Sequence, residues 1–381
     1  MNTVIYIGLD VDDNAFHGYV ISSENKEGFS FRAKPMLSVL LKKLQVISKD
    51  PTHFHLCYEA GYLGFTLARE LRAKGYKCDV IAPHMIPKRG NTAVKTDRID
   101  SKNLSLMLSK GLLTPCDIPD FDTENVRSLL RSRTFLCHRI RSLKNHTVSL
   151  CRKSGLHFKQ QTNSKAYWTV RHRAWLAALV KEEGLNPLLA FNLKQLMCEL
   201  KNEEARVAEY EEQIGLLSQS DTYRESVEAL SCFRGISTVA AMGIAAETGD
   251  VNRFAHPSQL MAYAGLGVRE YSSGGKEIKF GITKTGNSFL RGIVVESSQK
   301  SYRSPTLSDD GRRRQNKARS EYGDIANKCM KRMNKKGMHL MMRGKHTNLV
   351  KVACAREMLG FLWEAMRKAK IHTQLQTQVL V

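Results

Sequence analysis

The sequence predicts an α/β N-terminal domain followed by an all-α remainder, and three observations predict it. Residues 4–9 form an unbroken apolar run that ends in an acid, the pattern of a strand buried on both faces. Two further apolar runs, 53–58 and 78–82, alternate with helical spacing, as in Leu37, Leu40, Leu41, Leu44 and Ile47. Beyond residue 120 the runs give way to long polar stretches whose apolar residues recur every three or four positions.

Taken in order, the first strand ends in Asp10 and Asp12. Residues 15–21 and 28–33 flank a polar turn and complete a three-stranded antiparallel meander. Pro51 closes the first helix, and the strand over 53–58 is followed at once by Glu59. Gly61 and Gly64 open a helix that stops at Gly75, and 78–82 is a fifth strand. A loop then runs from Pro83 through Lys88, Arg89 and Gly90 to a helix capped at Thr96 or Asp97. Positions i and i+3 share a helix face, so Asp97 and Asp100 point the same way.

The 381 residues carry 59 Lys+Arg against 37 Asp+Glu, a net charge of +22 whose field draws a polyanion, and nucleic acid is the leading partner. The charge is uneven: residues 124–181 hold 13 basic residues and one acid, and 301–370 hold 18 basic and six acidic. Nine cysteines show neither a zinc spacing nor a disulfide framework and read as reduced thiols. No leader and no membrane-length apolar stretch is visible, so a cytoplasmic, nucleoid-associated protein is expected.

An order of strands and helices that carries Asp10, Glu59, Asp97 and Asp100 in this way resembles the RuvC-like branch of the ribonuclease H-like fold, in which such acids meet at the sheet edge. Converging carboxylates repel unless divalent cations neutralise them, so Mg²⁺ or Mn²⁺ is the expected cofactor. The acids also have a plainer reading, as turn and helix caps.

Residues 121–222 read as a helical arm, a coiled coil or a helical hairpin, whose simplest role is self-association, with Leu130, Leu136, Ile140 and Leu143 on one stripe. Its Arg127, Arg131, Arg133, Arg139, Arg141 and Lys144 form either a phosphate-tracking row or a solvated face. Residues 227–247 have the shape of a helix-hairpin-helix, with Ser237 where the second hairpin glycine usually stands, so a plain interhelical turn is an equal reading. Residues 271–276, rich in Ser and Gly, read as a mobile loop against an anion, near Arg269, Lys276, Lys284 and Arg291, and such a stretch also serves as an ordinary linker.

Here a closer resemblance enters. Ala264-Gly265-Leu266, Tyr271-x-Ser273-Gly274 and Lys284-x-Gly286-Asn287 with Leu290-Arg291 resemble the transposase domain of the DEDD-type insertion-sequence transposases. That family includes bridge-RNA-guided serine recombinases and is related to Piv-type DNA invertases. The N-terminal acids match its other half, and Arg343-Gly344-Lys345 with Val352-Ala353 and Ala355-Arg356 fits its closing helix. Ser237 and the basic segment 301–345 depart from the pattern. The resemblance implies three domains: RuvC-like over 1–120, the arm over 121–222, and a mainly helical transposase domain over 223–381. It implies a DNA recombinase in which a metal-bound acid cluster acts with the nucleophile Ser273, a structured non-coding RNA pairs with the DNA, and the protein works as a dimer or tetramer.

Three other readings compete. A stand-alone junction resolvase would use the acids without Ser273, and an actin-like sugar or acetate kinase would use residues 7–11 as a phosphate loop. A non-catalytic nucleic-acid-binding protein would bind no divalent cation.

Overall fold

The structure is a computed structural model that describes residues 3–24, 27–61, 63–87, 96–273 and 276–379. It divides into two compact units, Met1–Asp120 and Phe121–Val381, each described by itself.

The first unit is built on a five-stranded sheet. Strands β1 (Ile5–Val11), β2 (Phe16–Ser22) and β3 (Phe29–Ala33) form the meander. Strand β4 (Phe54–Glu59) lies parallel to β1, and β5 (Lys77–Ile81) parallel to β4, which gives the order β3-β2-β1-β4-β5. Parallel neighbours need crossovers. The helix α1 (Leu37–Ile47) precedes β4, and α2 (Thr66–Ala73) joins β4 to β5. Ile5, Ile7, Leu9, Leu56 and Tyr58 pack on that side with Leu40, Leu44, Leu67 and Leu71. The opposite face is covered by α3 (Asp97–Ser109), whose Leu104 and Leu108 meet Cys57 and Ile81. Alternation along a strand therefore assigns Ile7 and Leu9 to one face and Tyr6, Gly8 and Asp10 to the other. The loop residues Lys88, Arg89 and Gly90 lie outside the described residues.

The second unit is helical apart from one hairpin. Helix α4 (Phe121–Lys153) is 33 residues, about 50 Å at 1.5 Å per residue. The short helices α5 (Phe158–Thr162) and α6 (Val170–Leu179) turn the chain, and α7 (Pro187–Leu217) returns along α4. Arg133 meets Glu211 near one end of the pair and Lys144 meets Glu204 further along, so the two helices run antiparallel. The stripe expected to pair with another molecule thus packs first against the chain's own α7.

Helices α8 (Arg224–Ser231), α9 (Thr238–Thr248), α10 (Pro257–Tyr263), α11 (Ser288–Arg303), α12 (Asp309–Lys317), α13 (Ser320–Met342) and α14 (Thr347–Val379) make the main core. Along α14, Val350, Cys354, Met358, Leu362 and Met366 repeat every four residues and are buried, which lets several helices close on it. The basic segment 301–345 becomes the end of α11, α12 and α13. Ser237 Oγ accepts the N–H of Ala240 and caps α9. Around that turn, Arg314 donates to the Ile236 carbonyl, Gln315 to Cys232 and Ser301 to Arg234. Its carbonyls are thus held by α11 and α12, as in an interhelical turn.

The expected loop over 271–276 falls within a hairpin, β6 (Val268–Ser273) and β7 (Lys276–Ile282), in which Ser273 pairs with Lys276. Alternation of Val268, Glu270 and Ser272 with Arg269 and Tyr271 suits a two-stranded ribbon. Gly274 and Gly275 lie outside the described residues. The cysteines are free thiols, and burial pushes those of Cys151, Cys232 and Cys354 up to about 11. Among the described residues, no helix is long and apolar enough to cross a membrane.

Candidate active site

Helix α3 can lie directly on β1 because residue 8 has no side chain. A Cβ there would stand 2.2 Å from the Ser101 carbonyl oxygen and 2.5 Å from the Ser105 nitrogen, both backbone atoms. Ser105 Oγ donates to the Tyr6 carbonyl at 3.1 Å and pins the helix to the strand. Asp10, two residues beyond Gly8, emerges on the same face, beside the first turn of α3. Thr96 caps that turn by accepting the Ile99 N–H, and Asp97 and Asp100 occupy it, where acids complement the helix dipole.

Asp10, Asp97 and Asp100 come together. Burial raises the Asp10 carboxyl above its ordinary range, the negative charges of Asp97 and Asp100 raise it further, and His17 opposes them. His17 faces Asp10 across the β1–β2 ladder, and its Nε2 lies 3.7 Å from Asp97 Oδ2. Glu59 ends β4, whose last parallel pair with β1 is Leu9–Tyr58. One further step of register sets Glu59 beside Asp10, with its side chain exposed.

Two residues that sequence reading passed over also belong here. Ligand atoms of Asp12, His17 and Asp97 all lie within 4.8 Å of one another. Asp12 Oδ1 accepts the N–H groups of Ala15, at 2.8 Å, and Asn14, and these bonds hold its carboxyl below the ordinary range. The signal for both was in the turn: Asp12-Asp13-Asn14 sets a short β1–β2 connection, which fixes His17 opposite Asp10. Beside them is a cleft of about 260 Å³ bounded by His17, Phe31, Arg32, Arg98 and Ser101. Carboxylates under mutual repulsion suit a hard divalent cation, and two guanidinium groups at the rim suit a phosphodiester.

The raised Asp10 carboxyl has a testable sign. A folded state that keeps a proton which the unfolded chain releases loses stability as pH rises from the ordinary carboxylate value through the raised one. Chelator-treated protein should therefore show a melting temperature that falls across that interval, a component missing from Asp10→Asn and suppressed by a divalent cation. Asp12 acts oppositely, because its contribution is lost as pH falls. Thermal melts of both proteins across mildly acidic pH check this, and identical pH profiles would contradict it.

A family model described as Transposase, for the DEDD IS110 type, matches residues 7–152, and one described as Transposase IS116/IS110/IS902 family matches residues 227–315. The "Putative transposase y4qE" of Sinorhizobium fredii is 33% identical over 86% of this chain and 79% of its own length. The chain belongs to the IS116/IS110/IS902 family of transposases. Other relatives are the transposase for insertion sequence element IS1533 of Leptospira borgpetersenii, 28% identical over 67% of this chain and 74% of its own, and that for IS1111A of Coxiella burnetii, 26% identical over 61% of each. Members of this family cut and rejoin DNA, so the protein is an enzyme.

The transposase's second unit shows why its motif glycines stand where they do. Gly265 has φ +68° and Gly286 φ +102°; a Cβ on the first would meet the Thr285 carbonyl at 2.2 Å, and one on the second the Tyr263 carbonyl at 2.3 Å. The two motif segments therefore interlock backbone to backbone. Asn287 caps α11 through Leu290 N–H, and its Nδ2 donates to Glu247 Oε2 at 2.6 Å. Arg291 donates to the Ala264 carbonyl at 2.9 Å, so it braces this junction. Arg269 and Lys284 are exposed.

The expected phosphate row on α4 requires revision, since most of its cations already face carboxylates. Arg131 grips fully buried Glu247 through two bonds of 3.0 Å, and buried Arg127 donates to the Ala246 carbonyl at 2.7 Å. Arg133 pairs with Glu211, Arg139 with Glu199 and Glu203, and Lys144 with Glu204. Sequence spacing gave no hint of this, because Glu247 is more than a hundred residues away. Arg141 remains exposed. Glu247→Ala is expected to destabilise this unit by about 3–5 kcal/mol, because it strands Arg127 in the interior without its counter-charge. Urea unfolding measures the loss, and a change below about 1 kcal/mol would remove Glu247 from this role.

Proposed function

We propose that this transposase moves an insertion sequence by cutting and rejoining DNA at a divalent-metal site formed by Asp10, Glu59, Asp97 and Asp100, with Ser273 as nucleophile and an element-encoded structured RNA as guide. The observation that carries the reading is the placement of Asp10 near the end of β1, on the face covered by α3, whose first turn holds Asp97 and Asp100; burial, and then the charges of these two acids, raise the Asp10 carboxyl. Acids held in mutual repulsion at the end of a central strand call for a cation. The strand order β3-β2-β1-β4-β5, with acids ending β1 and β4 and opening α3, supports a RuvC-like first domain over 1–120. The arm over 121–222 and the domain over 223–381 complete the proposed division, and the arm is the proposed site of dimer or tetramer formation.

Bound Mg²⁺ or Mn²⁺ supplies charge that polarises a phosphodiester. The acids hold that charge at the sheet edge, and Arg32 and Arg98 steady phosphate oxygens in the adjoining cleft. The Ser273 hydroxyl gives up its proton as its Oγ attacks phosphorus; a P–O bond to Oγ forms, the bond to the departing strand's oxygen breaks, and that oxygen takes up a proton, so one proton is released and one consumed. Rejoining reverses these events on a new strand end. Delegating sequence choice to base pairing fits a chain of net charge +22, which supplies backbone affinity without base readout.

The test uses purified protein, the element's DNA ends and target, and the transcript of the flanking non-coding DNA. Recombination should require the transcript, and RNA affinity should fall steeply with salt, by about one order of magnitude or more between 50 and 200 mM. Full-rate recombination by RNase-treated, RNA-free protein would refute the guide and transfer DNA recognition to the protein itself.

A further inference from the structure

The turn between α4 and α6 carries a cluster that strand exchange at the acids does not use. Phe158, Tyr167, Trp168, His172 and Trp175 meet there, with ring centroids 4.6 to 6.0 Å apart. His172 is buried, and its Nδ1 accepts the backbone N–H of Trp168 at 3.1 Å. Trp168 has φ +62°, a left-handed conformation that costs an aromatic residue steric strain and persists only where its surroundings impose it. Here that hydrogen bond and two cations hold it: Lys144 Nζ and Arg173 Cζ each lie 5.7 Å from the indole centroid. A plain apolar core would need neither the strained residue nor the cations.

Tyr167 and Trp168 stay half-exposed because they wall a cavity of about 440 Å³. The opposite wall is α4, where Asn145, Val148, Ser149 and Arg152 present one helical face. Arg152 donates to the Tyr167 hydroxyl at 3.1 Å and 3.3 Å, and Lys159 Nζ stands 4.8 Å from the Tyr167 centroid. Unlike Lys144 and Arg173, which share Glu204, Arg152 and Lys159 face no carboxylate among the described residues. A slot of this size with aromatic rings on one side, an amide and a hydroxyl on the other, the unneutralised Arg152 in its wall and Lys159 against the Tyr167 ring has the chemistry of a nucleotide site.

We propose that this cavity binds an unpaired nucleobase of a single-stranded or looped nucleic acid, stacked on Tyr167 and Trp168, edge-read by Asn145 and Ser149, with its phosphate held by Arg152 and Lys159. The inference deepens the proposed function, resting on its claim that the protein handles a folded or displaced strand, and it locates one contact. Base stacking tolerates every sequence, so the site holds a strand by its unpaired state.

The test uses the full chain and hairpin oligonucleotides whose loop carries one 2-aminopurine, made as RNA and as DNA, beside a fully paired duplex. Loop 2-aminopurine emission should be quenched on binding, and the RNA and DNA arms report which strand the site prefers. Tyr167→Leu should weaken loop binding roughly tenfold and restore the emission, while Tyr167→Phe keeps both. Arg152→Gln should reduce the slope of log affinity against log salt by about one. Ser149→Trp, at an exposed position of α4, fills the slot without disturbing the cluster and should reproduce the loss even if Tyr167→Leu misfolds. Equal binding of loop and duplex, unaffected by Tyr167→Leu and Ser149→Trp, would overturn this site alone. Failure of the wild-type protein to bind any of the nucleic acids would overturn the proposed function with it.

Discussion

Asp10→Asn is expected to lower strand cleavage by about a thousandfold or more while the protein stays folded. The magnitude follows from the several kcal/mol that a bound cation lends to a phosphoryl transition state, at about 1.4 kcal/mol per factor of ten. Asparagine keeps the shape of the side chain and removes the charge that holds the cation. Removing that charge also relieves repulsion from Asp97 and Asp100, so the metal-free variant should melt no lower than wild type. Loss of activity with an unchanged or raised melting temperature separates chemistry from folding. Titration with Mn²⁺ should show weakened binding in parallel. Cleavage by Asp10→Asn at the wild-type rate would leave the acid cluster as a capped turn.

Ser273→Ala should reduce cleavage and joining to background, whereas Ser272→Ala should change them less than about threefold. Ser272 Oγ donates to Glu270 Oε1 at 2.7 Å along the β6 surface, so its proton is already engaged with its own strand. Ser273 is the last residue of β6, paired with Lys276 at the hairpin end. Alanine is tolerated at a strand end, so the fold should be kept. An alkoxide attacking phosphorus leaves a phosphoserine ester, and digestion after reaction with labelled DNA should recover a nucleotide-linked peptide containing residue 273. Equal rates for Ser273→Ala and wild type would make water the nucleophile and the enzyme a metal-dependent nuclease.

Much of this protein follows from the sequence because the relevant patterns are local. The mainly apolar segments 4–11, 53–58 and 78–82 are strands because a two-sided core satisfies them, and helical spacing from Leu37 to Ile47 marks a helix. Asp10, Asp97 and Asp100 stood out because acids at the end of a buried strand and in a helix's first turn have few other reasons to coincide. The net charge of +22 and the motif glycines marked the nucleic-acid enzyme before any contact was known.

Tertiary structure decided what depends on distant partners. The arginines of α4 could be read as a phosphate row or a solvated face, and folding set Arg131 on Glu247 and Arg139 on Glu203, because a buried carboxylate draws whichever cation the packing brings within reach, while Arg133 pairs with exposed Glu211. Composition suggested a mobile loop at 271–276, where Tyr271, Ser272 and Ser273 instead pair with Ile278, Glu277 and Lys276 in a two-stranded ribbon. His17 joined the acids only when the β1–β2 register was fixed, since one residue of slip would have turned it to the other face. The nucleotide slot beside Trp168 needed the fold itself: its walls come from separate segments, and its strained residue is held not only by nearby His172 and Arg173 but by Lys144 from α4.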